Sequence, residues 1–429
     1  MQIIDCPPKH LEDYHQFTPE IVDEVQTLAN HFRGLKVAHV NATALGGGVA
    51  EILRCLVPLQ NDAGLQSSWY VIPPDDAFFE VTKQIHNFLQ GKEGALTPEQ
   101  RQIYIEYNRF LGALLSKIDT DVLIIHDPQP AAALTFLTGA KPKLALWRCH
   151  IDTSTPNRSV WDFLLPFLKN FDHYVFTMAE YTNSAFPQDK ISLITPHIDP
   201  LSPKNIPMNK EEAKNYLTRF GINPSQPLIT QISRFDPWKD PKGVIDAYRL
   251  AKKEFPDLQL AMVAQMATDD PEGVRIYEEV KSYAKSEAGI FLFTNLPDND
   301  LAVNAFQTAS DIILQKSIRE GFGLTVTEAM WKGAVVVGGS VGGIKLQIQD
   351  GVNGFLVNSP SEAAARVILL LKNPQLKSQL SQAARRQVLD NFLMPHKFLQ
   401  YLQLFSKLNL SLLLPQPPNL PLPFRVLPP

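Results

Sequence analysis

The sequence predicts an α/β protein with two doubly wound domains that face each other across a cleft. Short apolar runs rich in β-branched residues alternate with longer amphipathic segments along the chain. The runs are apolar on both faces, which is typical of central strands in parallel sheets that helices cover on both sides. The alternation occurs twice, on either side of a proline-rich break, so each half is expected to form one sheet.

The predicted strands and helices follow this alternation. Strands are predicted in the first half at 36–41, 67–72, 122–126, 143–147 and 173–178. Strands are predicted in the second half at 228–233, 258–264, 289–294, 311–314 and 334–338. Helices are predicted at 49–60, 243–255, 324–331, 360–372 and 395–408, among other segments between the strands.

Proline content and the loss of periodicity set the predicted domain boundaries. An N-terminal domain is expected over 1–197, a linker over 198–209 and a second domain over 210–394. A final helix over 395–410 is expected to pack back on the first domain, and a proline-rich extended tail is expected over 411–429. Ligands of doubly wound sheets bind outside the carboxyl ends of the strands, so the cleft is the expected site.

Composition excludes several classes of protein. The 429 residues carry a formal net charge of −4, which gives no electrostatic footprint for nucleic acid or an anionic membrane. Three widely spaced cysteines exclude a disulfide framework and a cysteine-rich zinc site. The first residues lack the pattern of a signal peptide, and no apolar stretch is long enough to span a membrane. We therefore expect a cytoplasmic protein with small-molecule partners, and a homodimer is left open.

The strongest chemical signal is the segment from Glu320 to Glu328, which follows one predicted strand and opens a predicted helix. Gly321 and Gly323 let the backbone approach a ligand closely, and the free amides at a helix start favour anions. Two carboxylates near an anion site are costly unless they hold hydroxyl groups, such as those of a sugar or a ribose. The alternative is a surface glutamate, a glycine turn and a helical glutamate without a binding role.

Two cations, Arg234 and Lys239, share one loop after the strand predicted at 228–233. A fork-shaped guanidinium and a compact ammonium together suit a diphosphate. Each charge-assisted hydrogen bond of this kind contributes about 1.5–3 kcal/mol. Solvated surface cations are the alternative interpretation.

Three consecutive glycines, Gly46, Gly47 and Gly48, stand between the first predicted strand and a predicted helix. They permit a close approach of the backbone to an anion, although a flexible turn is the alternative. The spacing is not that of a dinucleotide fingerprint or of a P-loop, so a nicotinamide-dependent enzyme is disfavoured.

His150 and Asp152 follow the strand predicted at 143–147, so both are expected to point into the cleft. A lone histidine is more often structural, and a hydrogen bond to a sugar hydroxyl is the functional alternative. Asp119 and Asp121 have the D-x-D form of metal-dependent transferases, but they precede a strand and so lie at the wrong end for the cleft.

These motifs resemble those of the GT-B retaining glycosyltransferases, in which two Rossmann-like domains face each other. A closer resemblance, to the trehalose-forming synthases of glycosyltransferase family 4, spans roughly residues 9–400. The E-x7-E pair with the two cations is specific for the superfamily. The narrower family is indicated by GGGVAEIL (46–53), WRCHID (147–152) and SRFDPWK (233–239).

The resemblance implies transfer of glucose from ADP-, UDP- or GDP-glucose to free glucose. The product would be α,α-trehalose with its anomeric configuration retained, and the reaction could run in either direction. Neither a cofactor nor a metal is implied. A sucrose-, glucan- or glycerol-type acceptor is the alternative, and a sugar-binding protein without turnover is a second one.

The resemblance also implies roles for individual residues, in three groups. The catalytic group consists of Arg234, Lys239, Glu320 and His150. The donor-binding group consists of Glu328, Gly321, Phe322, Gly323, Leu324, Asn295 and Leu296, with Glu328 on the ribose and Asn295–Leu296 beside the base. The group near the acceptor and the diphosphate consists of Gly46, Gly47, Gly48 and Asp152. One departure from the family pattern is Asp240-Pro241 after Lys239, which is expected to stiffen that loop.

Overall fold

The computed structural model describes residues 1–45, 47–265 and 271–410. Within these ranges the chain forms two separate sheets with helices on both faces, which confirms the predicted α/β class. Gly46 and the predicted tail at 411–429 lie outside the described residues. A search of the described part for a helix long and apolar enough to cross a membrane finds none.

The first sheet is formed by residues from the first half of the chain. Its strands are β1 (Gln2–Ile3), β2 (Lys36–Asn41), β3 (Gln66–Val71), β4 (Val122–His126), β5 (Leu144–Arg148), β6 (His173–Phe176) and β7 (Ile191–Leu193). They lie in the order β1-β3-β2-β4-β5-β6-β7, and only the β1–β3 pair is antiparallel. The accompanying helices are α1 (Pro19–Ala29), α2 (Gly48–Asp62), α3 (Asp76–Leu89), α4 (Pro98–Leu115) and α5 (Arg158–Leu168).

The second sheet is parallel throughout. Its strands are β8 (Leu228–Ile232), β9 (Gln259–Ala264), β10 (Ile290–Thr294), β11 (Ile312–Gln315), β12 (Val335–Gly339) and β13 (Phe355–Val357). They lie in the order β10-β9-β8-β11-β12-β13. The helices of this half are α6 (Lys210–Leu217), α7 (Pro241–Lys252), α8 (Pro271–Ala284), α9 (Asn299–Ala309), α10 (Leu324–Trp331), α11 (Ile344–Gln347), α12 (Pro360–Lys372) and α13 (Pro374–Asn391).

The final helix, α14 (Met394–Lys407), packs on the first half. Its side chains Phe398, Tyr401 and Phe405 are buried in an apolar cluster with residues of α1, α2 and β2. The chain therefore passes between the two halves twice. The two passages run side by side, because the amide of Ile198 donates to the carbonyl of Phe392 at 2.9 Å and the amide of Met394 donates to the carbonyl of Ile198 at 2.9 Å.

Every predicted strand is present, with its ends shifted by at most two residues. The strands that sequence analysis missed are β1, β7 and β13, which are two or three residues long. Each of these lies at an outer edge of its sheet, where few residues need to be apolar. Runs this short carry no periodicity from which a strand can be predicted.

Candidate active site

Glu320 and Lys239 meet at the carboxyl edge of the second sheet. Glu320 lies in the loop after β11, and Lys239 ends a short 3-10 helix after β8. Nζ of Lys239 lies 2.6 Å from Oε2 of Glu320, and the hydroxyl of Ser317 donates to the same oxygen at 3.3 Å. Because β8 and β11 are parallel neighbours, their loops emerge at one edge and bring the two side chains together.

Backbone hydrogen bonds fix the two loops against each other. The carbonyl of Trp238 accepts from the amide of Ile318 at 2.8 Å and from that of Arg319 at 3.3 Å. The contact between Lys239 and Glu320 is therefore built on a rigid frame rather than on two free surface side chains. Such preorganisation is what a site for developing charge requires.

Arg234 stands at the more open end of the same loop. Its side chain is 41% exposed, and its Nη2 lies 3.9 Å from Oδ2 of Asp236. The first half faces it with His86 of α3, whose pKa falls to about 3 because of burial and then of the charges of Arg234 and Lys83. His86 therefore lies within electrostatic range of Arg234.

Asp240, which follows Lys239 and departs from the family pattern, has a structural role in this chain. Its φ of 47° lies in the left-handed region, and its side chain accepts from the amide of Gly243 as the N-cap of α7. The carboxylate also forms an ion pair with Lys316 in the loop after β11. Asp240 therefore terminates the 3-10 helix, starts α7 and joins the two loops, which agrees with the expected stiffening.

The loop from Glu320 to Leu324 leads into α10. Gly323 has a φ of 84°, a conformation that favours glycine, and the next residue, Leu324, begins the helix. Amides in the first turn of a helix lack partners within that helix, so they are available to an anion. Phe322 is buried against Phe392 and anchors the loop in the second half.

Glu328 lies one turn further along α10 and is only 1% exposed. Its Oε2 accepts from Gln307 at 3.1 Å, and its Oε1 lies 3.3 Å from Nζ of Lys204, which also binds Oε1 of Glu51 at 2.6 Å. Burial alone would raise the pKa of Glu328, but the charges of Lys204 and Lys332 outweigh it and the pKa is lowered. Lys204 thus links a carboxylate of the second half to one on α2 of the first half.

The first sheet contributes His150 and Asp152 from the segment after β5. Oδ1 of Asp127 accepts from the amide of His150 at 2.7 Å, which fixes the backbone of that residue. Oδ1 of Asp152 accepts from the amide of Ser154 at 3.0 Å and from its hydroxyl at 2.6 Å. Oδ2 of Asp152 lies 3.4 Å from Nη1 of Arg319, so Asp152 joins the two halves rather than standing open to a ligand.

The two halves touch at the candidate residues themselves. A Cβ atom on Gly321 would lie well inside van der Waals contact with the carbonyl oxygen of His150. A Cβ on Gly48 would lie 2.8 Å from Cδ1 of Leu324, whereas one on Gly47 would meet nothing within 4 Å. Gly321 is therefore required for the observed approach of the two halves, and Gly48 lies directly opposite α10.

Asn295 and Leu296 follow β10 at the same edge of the second sheet. The amide of Asn295, whose φ is 50°, donates to the carbonyl of Ala264 at 3.0 Å. Leu296 packs on an apolar cluster that includes Phe306. Since β10 lies three strands from β11, these residues stand about 14 Å from the Glu320 loop at the usual strand spacing.

Sequence analysis missed Lys204 and Tyr181, although both contact predicted residues. The hydroxyl of Tyr181 donates to the carbonyl of Glu320 at 2.8 Å. Lys204 lies in the segment predicted to be a linker, where a lone lysine among prolines carries no pattern. Both contacts join residues more than 120 positions apart in the chain, so local spacing gave no signal for them.

The D-x-D pair lies where the sequence predicted, at the amino end of β4. Oδ2 of Asp121 accepts from the amide of Lys36 at 3.0 Å, and Oδ1 lies 2.9 Å from Nζ of Lys143. Asp119 forms an ion pair with Lys36. Among the described residues, no group of three or more His, Cys, Asp or Glu side chains is arranged to hold a metal ion.

Comparison with known proteins gives one consistent result. Residues 39–183 match the family model described as "Trehalose synthase, N-terminal domain", and residues 213–387 match that described as "Glycosyl transferases group 1". The trehalose synthase of Rubrobacter xylanophilus is 45% identical over 95% of this chain and 99% of its own length. That of Pyrococcus horikoshii is 44% identical over 94% of this chain and 97% of its own.

Solved structures support the fold. A crystal structure of the α,α-trehalose 6-phosphate synthase of Burkholderia multivorans superposes with a TM-score of 0.70 over 90% of this chain and all of its own, at 13% identity. At that identity the likeness concerns the fold alone, and it is the predicted GT-B arrangement of two facing sheets. The sequence relatives are much closer, and the match to them extends over nearly the whole chain. The chain therefore belongs to the trehalose synthase family of group 1 glycosyltransferases.

Proposed function

We propose that the protein transfers glucose from a nucleoside diphosphate glucose to free D-glucose and forms α,α-trehalose with retention at the anomeric carbon. The bond from the anomeric carbon to the diphosphate oxygen breaks, and a bond from that carbon to the acceptor oxygen forms on the same face. The departing diphosphate takes the proton of the acceptor hydroxyl. Atoms and charge then balance without a side-chain nucleophile.

The contact of Lys239 with Glu320, opposite His150, carries this proposal. The leaving diphosphate gains negative charge as the bond breaks, and Lys239 with Arg234 would stabilise that charge. Glu320, with the amides of the Gly321–Leu324 segment, would hold the donor glucose. His150 would contact the same sugar from the first sheet.

The remaining donor contacts follow the length of a nucleotide sugar. Glu328 would accept from ribose hydroxyls with the lone pairs that Lys204 and Gln307 leave available. Asn295 and Leu296, three strands from β11, would flank the base. The described glycines 47 and 48, with Asp152, would lie near the diphosphate and the acceptor, and we propose the same for Gly46.

We also propose that residues 1–197 form an acceptor-side domain and residues 210–394 a donor-side domain, with 198–209 as the linker. This division keeps each sheet and its helices in one unit. No metal is required in the proposed mechanism, because two cations of the chain itself would neutralise the diphosphate. Closure of the two domains would exclude water and limit hydrolysis of the donor.

The test is a product assay without added metal. The purified protein is incubated with free glucose and, in turn, ADP-, UDP- and GDP-glucose, and the products are separated by chromatography. A non-reducing disaccharide that trehalase digests is the expected result, and the rates with the three donors give the base preference. Donor turnover with another acceptor, such as fructose, a glucan or glycerol, and none with glucose would overturn the proposed acceptor.

A further inference from the structure

Three histidines form an unbroken hydrogen-bonded row that ends at His150. They come from the neighbouring strands β2, β4 and β5: His39 lies within β2, His126 is the last residue of β4, and His150 follows the end of β5 by two residues. Nδ1 of His39 lies 3.1 Å from Nε2 of His126, and Nδ1 of His126 lies 3.0 Å from Nε2 of His150. The far end of the row is closed by Gln60 of α2, whose Oε1 lies 3.1 Å from Nε2 of His39.

The row is buried and electrically neutral. His39 and Gln60 are fully buried and His126 is 2% exposed. Burial lowers the pKa of His39 to about 4 and lowers the pKa values of His126 and His150 well below the usual range. The charge of Arg148, which is buried beside the row, acts in the same direction on His126 and His150. Each ring therefore carries one N–H.

With one N–H per ring, both ring-to-ring hydrogen bonds must run in the same direction. Oε1 of Gln60 faces Nε2 of His39, whereas the buried Nε2 of Gln60 has no hydrogen-bond partner; with the amide in this orientation, Nε2 of His39 is the donor. Nδ1 of His39 then accepts from Nε2 of His126, whose Nδ1 in turn accepts from Nε2 of His150. His150 is left with an unprotonated Nδ1, which can only accept a hydrogen bond.

We propose that Gln60, His39 and His126 are positioning residues that fix the tautomer of His150, so that its Nδ1 accepts a hydrogen bond from a hydroxyl of the donor sugar. The sugar contact rests on the proposed function, whereas the direction of the row rests on the orientation of the Gln60 amide and on the neutrality of the three rings. A neutral acceptor suits this place, because an imidazolium would repel the positive charge that develops on the anomeric carbon.

The test reads the tautomer directly. Protein labelled with ¹⁵N-histidine is examined by long-range nitrogen–proton NMR, which distinguishes a protonated from an unprotonated ring nitrogen, and His150→Phe identifies the His150 signals. The proton is expected on Nε2 of His150. In Gln60→Met, which removes the acceptor but keeps the shape, and in His126→Phe, which breaks the row, a mixture of both tautomers is expected.

The kinetic expectation is a loss of about fivefold in kcat/KM in both variants, the effect of about one neutral hydrogen bond. The matched control is His173→Phe, which removes a buried imidazole from the next strand that bonds Ser192 instead. It should leave the His150 spectrum and kcat/KM unchanged. An unchanged far-UV circular dichroism spectrum and a cooperative melting transition close to that of the natural protein verify that the variants are folded.

A proton on Nδ1 of His150 in the natural protein would overturn the proposal. So would a spectrum of His150 that stays the same in both folded variants. If the protein makes no trehalose, the proposed function fails, but the spectrum still decides the direction of the row. The two proposals can therefore fail separately.

Discussion

The two walls of the candidate site are built from different chemistry. The wall from the second sheet presents ionised groups, of which Lys239 with Glu320 and Lys204 with Glu328 are in direct contact. At His150 the wall from the first sheet presents a neutral imidazole, fixed by backbone and side-chain hydrogen bonds. Under the proposed function, the second wall would neutralise the leaving group, and His150 of the first wall would orient the sugar without adding charge.

Removal of a charge from the second wall should have the largest effect. Lys239→Ala is expected to lower kcat by roughly 10²–10³, the usual loss for one group that stabilises a transition state. The matched control is Lys242→Ala, which removes a half-exposed cation that pairs with Glu279 on the neighbouring helix. The measurement is kcat from steady-state kinetics of both variants. An equal loss of kcat in the two variants would contradict the role assigned to Lys239.

Gly321→Ala tests the contact between the two walls. Its methyl group would collide with the carbonyl oxygen of His150, so the walls must separate by a fraction of an ångström or more. A displacement of that order is expected to lower kcat by about 10²-fold. The melting temperature should change little, since the collision lies at the contact between the two halves and not inside a hydrophobic core. A normal kcat in Gly321→Ala would show that the reaction does not require the close approach of the two walls seen in the structure.

Lys204→Met tests how far the charged wall depends on one lysine of the connecting segment. Loss of the ammonium leaves Glu328 buried beside Glu51 without its main partner, which is expected to cost about 3 kcal/mol of unfolding free energy at pH 7. The control, Lys214→Met, removes an exposed i,i+3 pair and should cost under about 0.5 kcal/mol.

The same variant has a defined pH dependence. Because the folded pKa of Glu328 lies below its ordinary value of 4.5, its pairing stabilises the protein above that value and is lost as the pH falls through the folded pKa. The difference in urea unfolding between the natural protein and Lys204→Met should therefore shrink below pH 4.5. A constant difference down to pH 3 would show that the effect of Lys204 is packing rather than charge.

The smallest expected effect concerns metal. If Arg234 and Lys239 supply the positive charge on the diphosphate, a chelator should change the initial rate by less than about twofold. A rate that falls with EDTA and recovers with Mg²⁺ would assign part of the neutralisation to a bound ion. A bound metal ion would then have to be added to the charged groups that act on the diphosphate.

Sequence analysis predicted some residues of the two walls and missed others, for physical reasons. Glu320, Lys239 and His150 each lie in the loop that follows a buried strand, and parallel sheets collect such loops at one edge. Lys204 and Tyr181 reach the site through contacts between distant parts of the chain, which local spacing does not encode. His39 was predicted only as part of an apolar strand, because a histidine within such a run does not indicate what lies on the neighbouring strands.

The paired passages at Ile198 and Leu393 have a consequence for motion between the halves. Two chain segments that are hydrogen-bonded side by side resist twisting and sliding, but they bend readily about one line. We therefore expect the softest motion between the halves to be a bending rotation at this pair of segments. Opening and closing should then follow a single coordinate, and one pair of distance probes across the cleft would suffice to track a whole turnover.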